Sequence, residues 1–287
     1  MQLTKDKRIL IVGLGLLGGS YAAALTRQGF HVSAITRRRE TIDYALEKGM
    51  IKQGTTEIDE ALISQADLIV FSLYPTTLLE WLEQNGHLIR RGTIVTDVTG
   101  VKGCITDRIQ AMLPDGVEYI GAHPMAGREV LGVENSNEEM FRGANYLVVP
   151  TEKNTEEAIE LCEDLGFRLG FARVSRLSVE EHDRMIAFLS QLTHCIAVSL
   201  MCSSDDDNLV RYTGDSFRDL TRIARINDGM WSELFMNNRE KLLEQMDIFA
   251  QTFGTLRSAL EEGDVEKMRE MMRQSTARRA LFDKPKR

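Results

Sequence analysis

Residues 8–25 read RILIVGLGLLGGSYAAAL, and this stretch limits most strongly what the chain can become. A β-branched run, Arg8–Val12, meets Gly13, Gly15 and Gly18 and passes at once into a helical stretch, Leu16–Gln28. The first glycine permits a tight turn, the second lets a ligand approach the backbone, and the third lets helix and strand pack closely. The helix start presents unpaired N–H groups and the positive end of its dipole, which suits a pyrophosphate. Strand, turn and helix in this order predict a dinucleotide site built from Gly13, Gly15, Leu16, Leu17 and Gly18. A glycine-rich turn with no ligand is the plainer alternative, and it fits three glycines at these offsets poorly.

The same alternation continues. Apolar runs at His31–Ile35, Leu68–Ser72, Thr93–Val95, Tyr119–Ala122, Tyr146–Val149 and Phe171–Val174 are separated mostly by helical stretches, among them Thr41–Lys48, Thr76–Gln84 and Thr155–Leu165. Near-continuous apolar strands between helices predict an α/β, Rossmann-like, doubly wound and mainly parallel sheet over residues 1–175. From Ser178 the pattern changes. Ser178-Val-Glu-Glu181 is a capping-box signature that opens a long helix to about Ser203. Further helices are expected near Ser216–Ile226, Gly229–Met236, Arg239–Glu261 and Val265–Ala280, with no proline between Pro150 and Pro285. Residues 176–287 are therefore expected to form an all-helical domain; by analogy with other α/β enzymes it contacts substrate and dimerises.

Composition narrows the function. A net charge of -8 argues against nucleic-acid binding, so an anionic ligand must be held by local cations. The charged N-terminus and its short apolar run do not make a signal peptide or membrane span, so no membrane partner is expected. Cys104, Cys162, Cys195 and Cys202 are scattered and the five histidines form no ligand cluster, which predicts a reduced, cytoplasmic protein without a metal site.

The second strand ends in Thr36-Arg37-Arg38-Arg39, and no acid follows until Glu40. An acid at this place holds the ribose hydroxyls of NAD, whereas a small hydroxyl followed by guanidiniums suits a 2′-phosphate. Thr36, Arg37 and Arg38 thus predict NADP in preference to NAD; a solvated basic helix start is the alternative. Ligands of doubly wound sheets sit at strand C-termini, which adds Ser72, Leu73 and Asp97 as expected cofactor contacts.

Two polar knots end apolar runs: Thr96, Asp97, Thr99, Gly100 and Lys102, then His123-Pro124-Met125-Ala126-Gly127. A histidine held by a following proline beside the cofactor suits proton abstraction from an alcohol as hydride leaves the same carbon. On a helix Arg218, Arg222 and Arg225 would share one stripe, where a bound anion relieves their repulsion. His194 lies four residues after Ser190, on the same helix face, while His182 is turned away and reads as structural.

GLGLLGGS, TDVTGVKG, GAHPMAG, EEHD and FRDLTRIA stand in the order found in the prephenate/arogenate dehydrogenase family of tyrosine biosynthesis, which the chain resembles from about Arg8 to Ala280. The resemblance implies oxidative decarboxylation of prephenate to 4-hydroxyphenylpyruvate, or of arogenate to tyrosine, by a homodimer using NAD(P). It places His123 at the ring hydroxyl, Arg222 at the ring carboxylate, and Arg218, His194 and Ser190 in the substrate pocket. Many members carry a serine where this chain has Gly100, so Thr99 is the candidate to supply that hydroxyl beside the catalytic histidine. Many also read Ser-His-Leu-Pro-His where this chain has Ser190-Gln-Leu-Thr-His194, and the choice between prephenate and arogenate stays open. Neither a chorismate mutase segment nor an ACT domain is expected. Two alternatives compete. A β-hydroxyacid dehydrogenase needs a helical lysine, and none lies between Lys153 and Lys241. A non-enzymatic NADP sensor would not need His123 and the arginines together.

Overall fold

The computed structural model describes residues 2–283. Its strands are β1 (Arg8–Val12), β2 (His31–Ile35), β3 (Gln53–Thr55), β4 (Leu68–Phe71), β5 (Ile94–Asp97), β6 (Glu118–Pro124), β7 (Asn145–Val149) and β8 (Arg173–Arg176). They form one sheet in the order β3-β2-β1-β4-β5-β6-β7-β8, parallel throughout except for β6 and β7. Along β1, Ile9 and Ile11 enter one apolar layer and Leu10 and Val12 the other, as the two-residue period of a strand requires. Burial of each such side chain contributes roughly 1.5–3 kcal/mol, which is why the strands read as near-continuous apolar runs. β3 was not expected: a polar edge strand of Gln, Gly and Thr carries no apolar period.

Helices α1 (Leu16–Arg27), α2 (Arg39–Glu47), α3 (Glu60–Ser64), α4 (Pro75–Asn85), α5 (Thr106–Met112) and α6 (Glu156–Arg168) accompany the sheet. They are followed by α7 (Val179–Ile186), α8 (Thr193–Met201), α9 (Asp215–Thr221), α10 (Asp228–Asn237), α11 (Arg239–Glu262) and α12 (Val265–Ala280). The capping box forms: Ser178 Oγ accepts from Glu181 N, and Glu181 Oε2 accepts from Ser178 N. The single long helix expected after it is instead α7 and α8 joined by a π-helical segment, Ala187–Leu192. Such insertions often mark functional sites. The expected helix over 216–226 ends at Thr221 and continues as a 3₁₀ turn, Arg222–Ala224.

Residues through Arg239 form one compact unit and those from Glu240 a second. Helices α7–α10 thus belong with the sheet rather than apart from it. The reason is polar: α7 is bonded into the β5 exit through Asp183, and Glu233 of α10 accepts from Thr76 N and Oγ1 at the start of α4, both at 2.7 Å. In the second unit, α11 and α12 carry exposed Phe253, Leu260 and Met272.

The order of strands reverses between β1 and β4, and the glycine turn lies at that switch point. Gly13 has φ +97, open to glycine at little cost, and its N–H bonds Ile35 O at 2.8 Å. A Cβ on Gly18 would stand 2.0 Å from Gly13 O, whereas one on Gly15 would meet nothing within 4 Å. Gly18 therefore serves packing, and Gly15 keeps the backbone open to a ligand. Gly18→Ala is expected to destabilise the chain by about 1–3 kcal/mol through overpacking, read as a lower melting temperature. Gly15→Ala should melt like the native chain but bind dinucleotide more weakly. Equal melting of the two variants would contradict this division of roles.

Candidate active site

The exit of β5 is closed by an internal ion pair. Asp97 and Lys102 are both fully buried, with Lys102 Nζ 2.6 Å from Asp97 Oδ2. Nζ also donates to Ala122 O at 2.7 Å and to Thr99 O at 3.0 Å. These three acceptors offer no proton of their own, so the amine needs three N–H bonds and is an ammonium. Burial pulls its pKa down, and Asp97 pushes it back up. Asp97 Oδ1 accepts from Tyr119 Oη at 2.9 Å and from Ala122 N at 3.1 Å, while Oδ2 accepts from Thr99 N at 2.9 Å and from the Thr99 hydroxyl. Two expectations are corrected here. The Asp97 carboxylate is sealed inside the protein rather than facing a cofactor. The Thr99 hydroxyl is 3.0 Å from Val101 O and committed to Asp97, so it is no substitute for a serine beside His123. Gly100 holds that place instead: a Cβ there would lie 3.8 Å from His123 Cε1 and 3.6 Å from Leu234, in ordinary contact.

His123 stands near the end of β6, in register with Leu147 of β7. Its Nδ1 is 3.0 Å from His182 Nε2, and His182 Nδ1 is 2.7 Å from Asp183 Oδ1. Asp183 also accepts from Lys102 N at 2.9 Å and Gly103 N at 2.7 Å. The carboxylate can only accept, so it assigns the protons outward along the chain of rings. His182 carries its proton on Nδ1 and accepts at Nε2; His123 donates from Nδ1 and leaves Nε2 bare. Burial pushes the Asp183 pKa up, but His182 and the two backbone N–H groups outweigh it and hold the carboxylate below its usual range. Burial first, then His182 and Lys102, hold His123 well below 6.5. His182, read from sequence as structural, is thus the group that orients His123. The adjacent His-Asp pair in EEHD was the available signal.

The outer wall comes from the helical region. Arg222 pairs with Glu129, six residues beyond His123 on the loop that leaves β6. Arg218 pairs separately with Asp215 at 2.9 Å and with Thr213 O at 3.1 Å. The expected arginine stripe does not form, because the α-helix ends at Thr221 and the next turn is 3₁₀. His194 Nδ1 is 2.8 Å from Ser190 O, and its ring stacks on Trp231 with centroids 3.7 Å apart. Ser190 contributes its carbonyl from the π-helical segment. Burial lowers the His194 pKa, opposed by the Ser190 carbonyl and Glu129 and assisted by Arg222. Gln191 Nε2 donates to Leu234 O at 2.9 Å and its Oε1 accepts from Asn238 at 2.8 Å, which ties the π segment to α10. Glu129 and Trp231 went unnoticed in the sequence because each is isolated there and meets its partner only through the fold.

At the cofactor end, Gly15, Leu16 and Leu17 are half-buried at the start of α1, and Ser72 and Leu73 are half-buried just beyond β4. Thr36 donates from its N–H to Thr55 O at 3.2 Å, while Arg37 and Arg38 are exposed. The first acid, Glu40, lies 3.9 Å from Arg38. These groups fit a dinucleotide: an open glycine at the helix start for the pyrophosphate, and cations past the second strand.

The chain matches two family models: prephenate dehydrogenase, nucleotide-binding domain, over residues 21–172, and prephenate dehydrogenase, dimerization domain, over residues 178–274. It is 30% identical over 276 residues to prephenate dehydrogenase of Bacillus subtilis, spanning 93% of this chain and 74% of that protein. It is 28% identical over 288 residues to cyclohexadienyl dehydrogenase of Zymomonas mobilis, spanning 97% of each. The fold superposes on the crystal structure of A. aeolicus prephenate dehydrogenase in complex with hydroxyphenyl propionate and NAD+, with a TM-score of 0.89 and 28% identity, covering 98% of this chain and 99% of that one.

Two imidazoles held neutral below their ordinary 6.5 have a consequence for stability. Below 6.5 the unfolded chain binds protons that the folded chain refuses, so stability is lost as pH falls through that value. The melting temperature is expected to drop between pH 7 and pH 5, and less steeply in His123→Asn. Parallel profiles for the two proteins would contradict the burial of a neutral His123.

Proposed function

The chain belongs to the prephenate dehydrogenase family, and we propose that His123 is the base of its reaction. It is an NAD(P)-dependent oxidoreductase of tyrosine biosynthesis that oxidatively decarboxylates prephenate or arogenate. A bound nicotinamide supplies the hydride acceptor. His123 Nε2 takes the proton of the ring hydroxyl, and the resulting imidazolium donates from Nδ1 to His182, whose own Nδ1–H faces Asp183. The carboxylate thereby stabilises a charge that arises only as the reaction proceeds, which is where stabilisation raises rate. That chain of contacts is the observation that carries the reading.

Arg222 holds the ring carboxylate by exchanging its Glu129 partner for it. Arg218 adds positive charge beside it, and His194, Ser190 and Gly100 complete the substrate wall. With no hydroxyl at Gly100, positioning of the base rests on His182. Gly13, Gly15, Leu16, Leu17, Gly18, Ser72 and Leu73 hold the dinucleotide. Thr36, Arg37 and Arg38, with no acid before Glu40, favour NADP over NAD. The functional division follows residues 1–175 for the cofactor and 176–287 for substrate and dimerisation, and the enzyme works as a cytoplasmic homodimer with no nucleic-acid or membrane partner.

Reduced-nicotinamide absorbance with prephenate or arogenate, each with NAD and NADP, tests this directly; no turnover in any combination would overturn it. His123→Asn is expected to lower kcat by about 10²–10⁴-fold with dinucleotide affinity unchanged. Arg222→Ala should raise KM about ten- to a hundredfold, the worth of a hydrogen bond to a charged group; an unchanged KM would place the ring carboxylate elsewhere. Thr36→Asp combined with Arg37→Ser should move preference toward NAD, and a fixed NADP/NAD ratio would remove the argument from the second strand.

A further inference from the structure

The last parallel pair between β5 and β6 is Thr96 with Ile120, yet β6 runs on to Pro124. Beyond that pair, β7 holds one edge of β6 through Gly121 with Val149 and His123 with Leu147. Ala122, between them, has no backbone partner from β5. Two side chains take that place. Asp97 Oδ1 accepts from Ala122 N at 3.1 Å, and Lys102 Nζ donates to Ala122 O at 2.7 Å. The residue next to the base is therefore clamped at both of its backbone groups by one buried ion pair.

The same lysine reaches the other end of the histidine chain. Its backbone N–H donates to Asp183 Oδ1 at 2.9 Å, and the next N–H, of Gly103, donates to Oδ2 at 2.7 Å. Space is reserved for both contacts. A Cβ on Gly121 would stand 3.1 Å from Lys102 Cδ, and one on Gly103 would stand 2.8 Å from Asp183 Oδ2. Gly121, which faces Lys102, and Gly103, which faces Asp183, thus have a physical purpose unrelated to a dinucleotide.

We infer that Lys102 is a further positioning residue of the base, acting from behind His182: its ammonium, paired with Asp97, fixes Ala122 beside His123, while its backbone holds the Asp183 end of the relay. This rests on the reading of His123 as the proton acceptor. The fully buried Lys102 is also a cation without solvent screening, so it disfavours protonation of both rings. Around His123 the charged or titratable groups are His182 on α7 and Lys102 at the β5 exit. Around His182 they are Asp183, Lys102 and Asp97, and around Lys102 they are Asp97, Asp183 and Cys104. Tyr119, bonded to Asp97, stays protonated because burial and that carboxylate raise its pKa.

The test is an NMR titration of the ring nitrogens in full-length protein with ¹⁵N-labelled histidine, comparing native, Lys102→Met and the charge-neutral pair Asp97→Asn with Lys102→Met. The double substitution leaves no lone buried charge and serves if the single variant does not fold. Removing the ammonium is expected to shift the midpoints of His123 and His182 to higher pH and to weaken the coupling between the two rings, while NADP and NAD dissociation constants stay native. Unmoved midpoints in a folded variant would overturn the assignment. So would weakened dinucleotide binding with unmoved midpoints, which would make Lys102 a cofactor contact. The titration needs no substrate, so its outcome is independent of turnover assays, whose failure in the native enzyme would count against the dehydrogenase reading alone.

Discussion

The site depends on one carboxylate. Asp183 sits on the first turns of α7 and accepts from the backbone of Lys102, the backbone of Gly103 and the ring of His182. With only acceptor oxygens to offer, it dictates where each proton of the neighbouring rings must lie. It also joins the cap of the helical region to the exits of β5 and β6, so the geometry of His123 and the docking of α7 are a single constraint. Asn238 at the start of α11's approach extends the lock by donating to Asp183 O at 2.9 Å and to Gln191 at 2.8 Å.

Around this anchor the protein separates two kinds of charge. The Asp97–Lys102 pair is fully buried and every ammonium proton has an acceptor, which is the condition under which a buried pair is tolerated. The Arg222–Glu129 pair is exposed. A surface pair of this kind contributes little to stability. The first pair fixes Ala122 beside His123, and the second lies at the surface.

Much of this was legible in the sequence, and the boundary of legibility is physical. Strand positions followed from apolar runs that must be buried on both faces, and the glycine turn followed from backbone sterics. His123 drew notice in the sequence because a proline and flanking glycines made its setting unusual. Asp97 and Thr99 were misplaced for an opposite reason. Their position at a strand exit suggests ligand contact, but their side chains turn inward to serve Lys102 and Ala122, and no local pattern distinguishes those directions. His182 was passed over because helical spacing relates it only to its own helix, whereas its partner lies on β6. The arginine stripe failed because spacing arguments assume an unbroken α-helix, and a 3₁₀ turn begins at Arg222.

With Nδ1 directed at His182, His123 rests neutral with its proton on Nδ1 and a bare Nε2. The ¹⁵N chemical shifts of that ring in the native enzyme near pH 7 test it most directly. A pyridine-like, unprotonated Nε2 and a protonated Nδ1 coupled to His182 are expected. A doubly protonated ring, or a proton on Nε2 with Nδ1 bare, would contradict it.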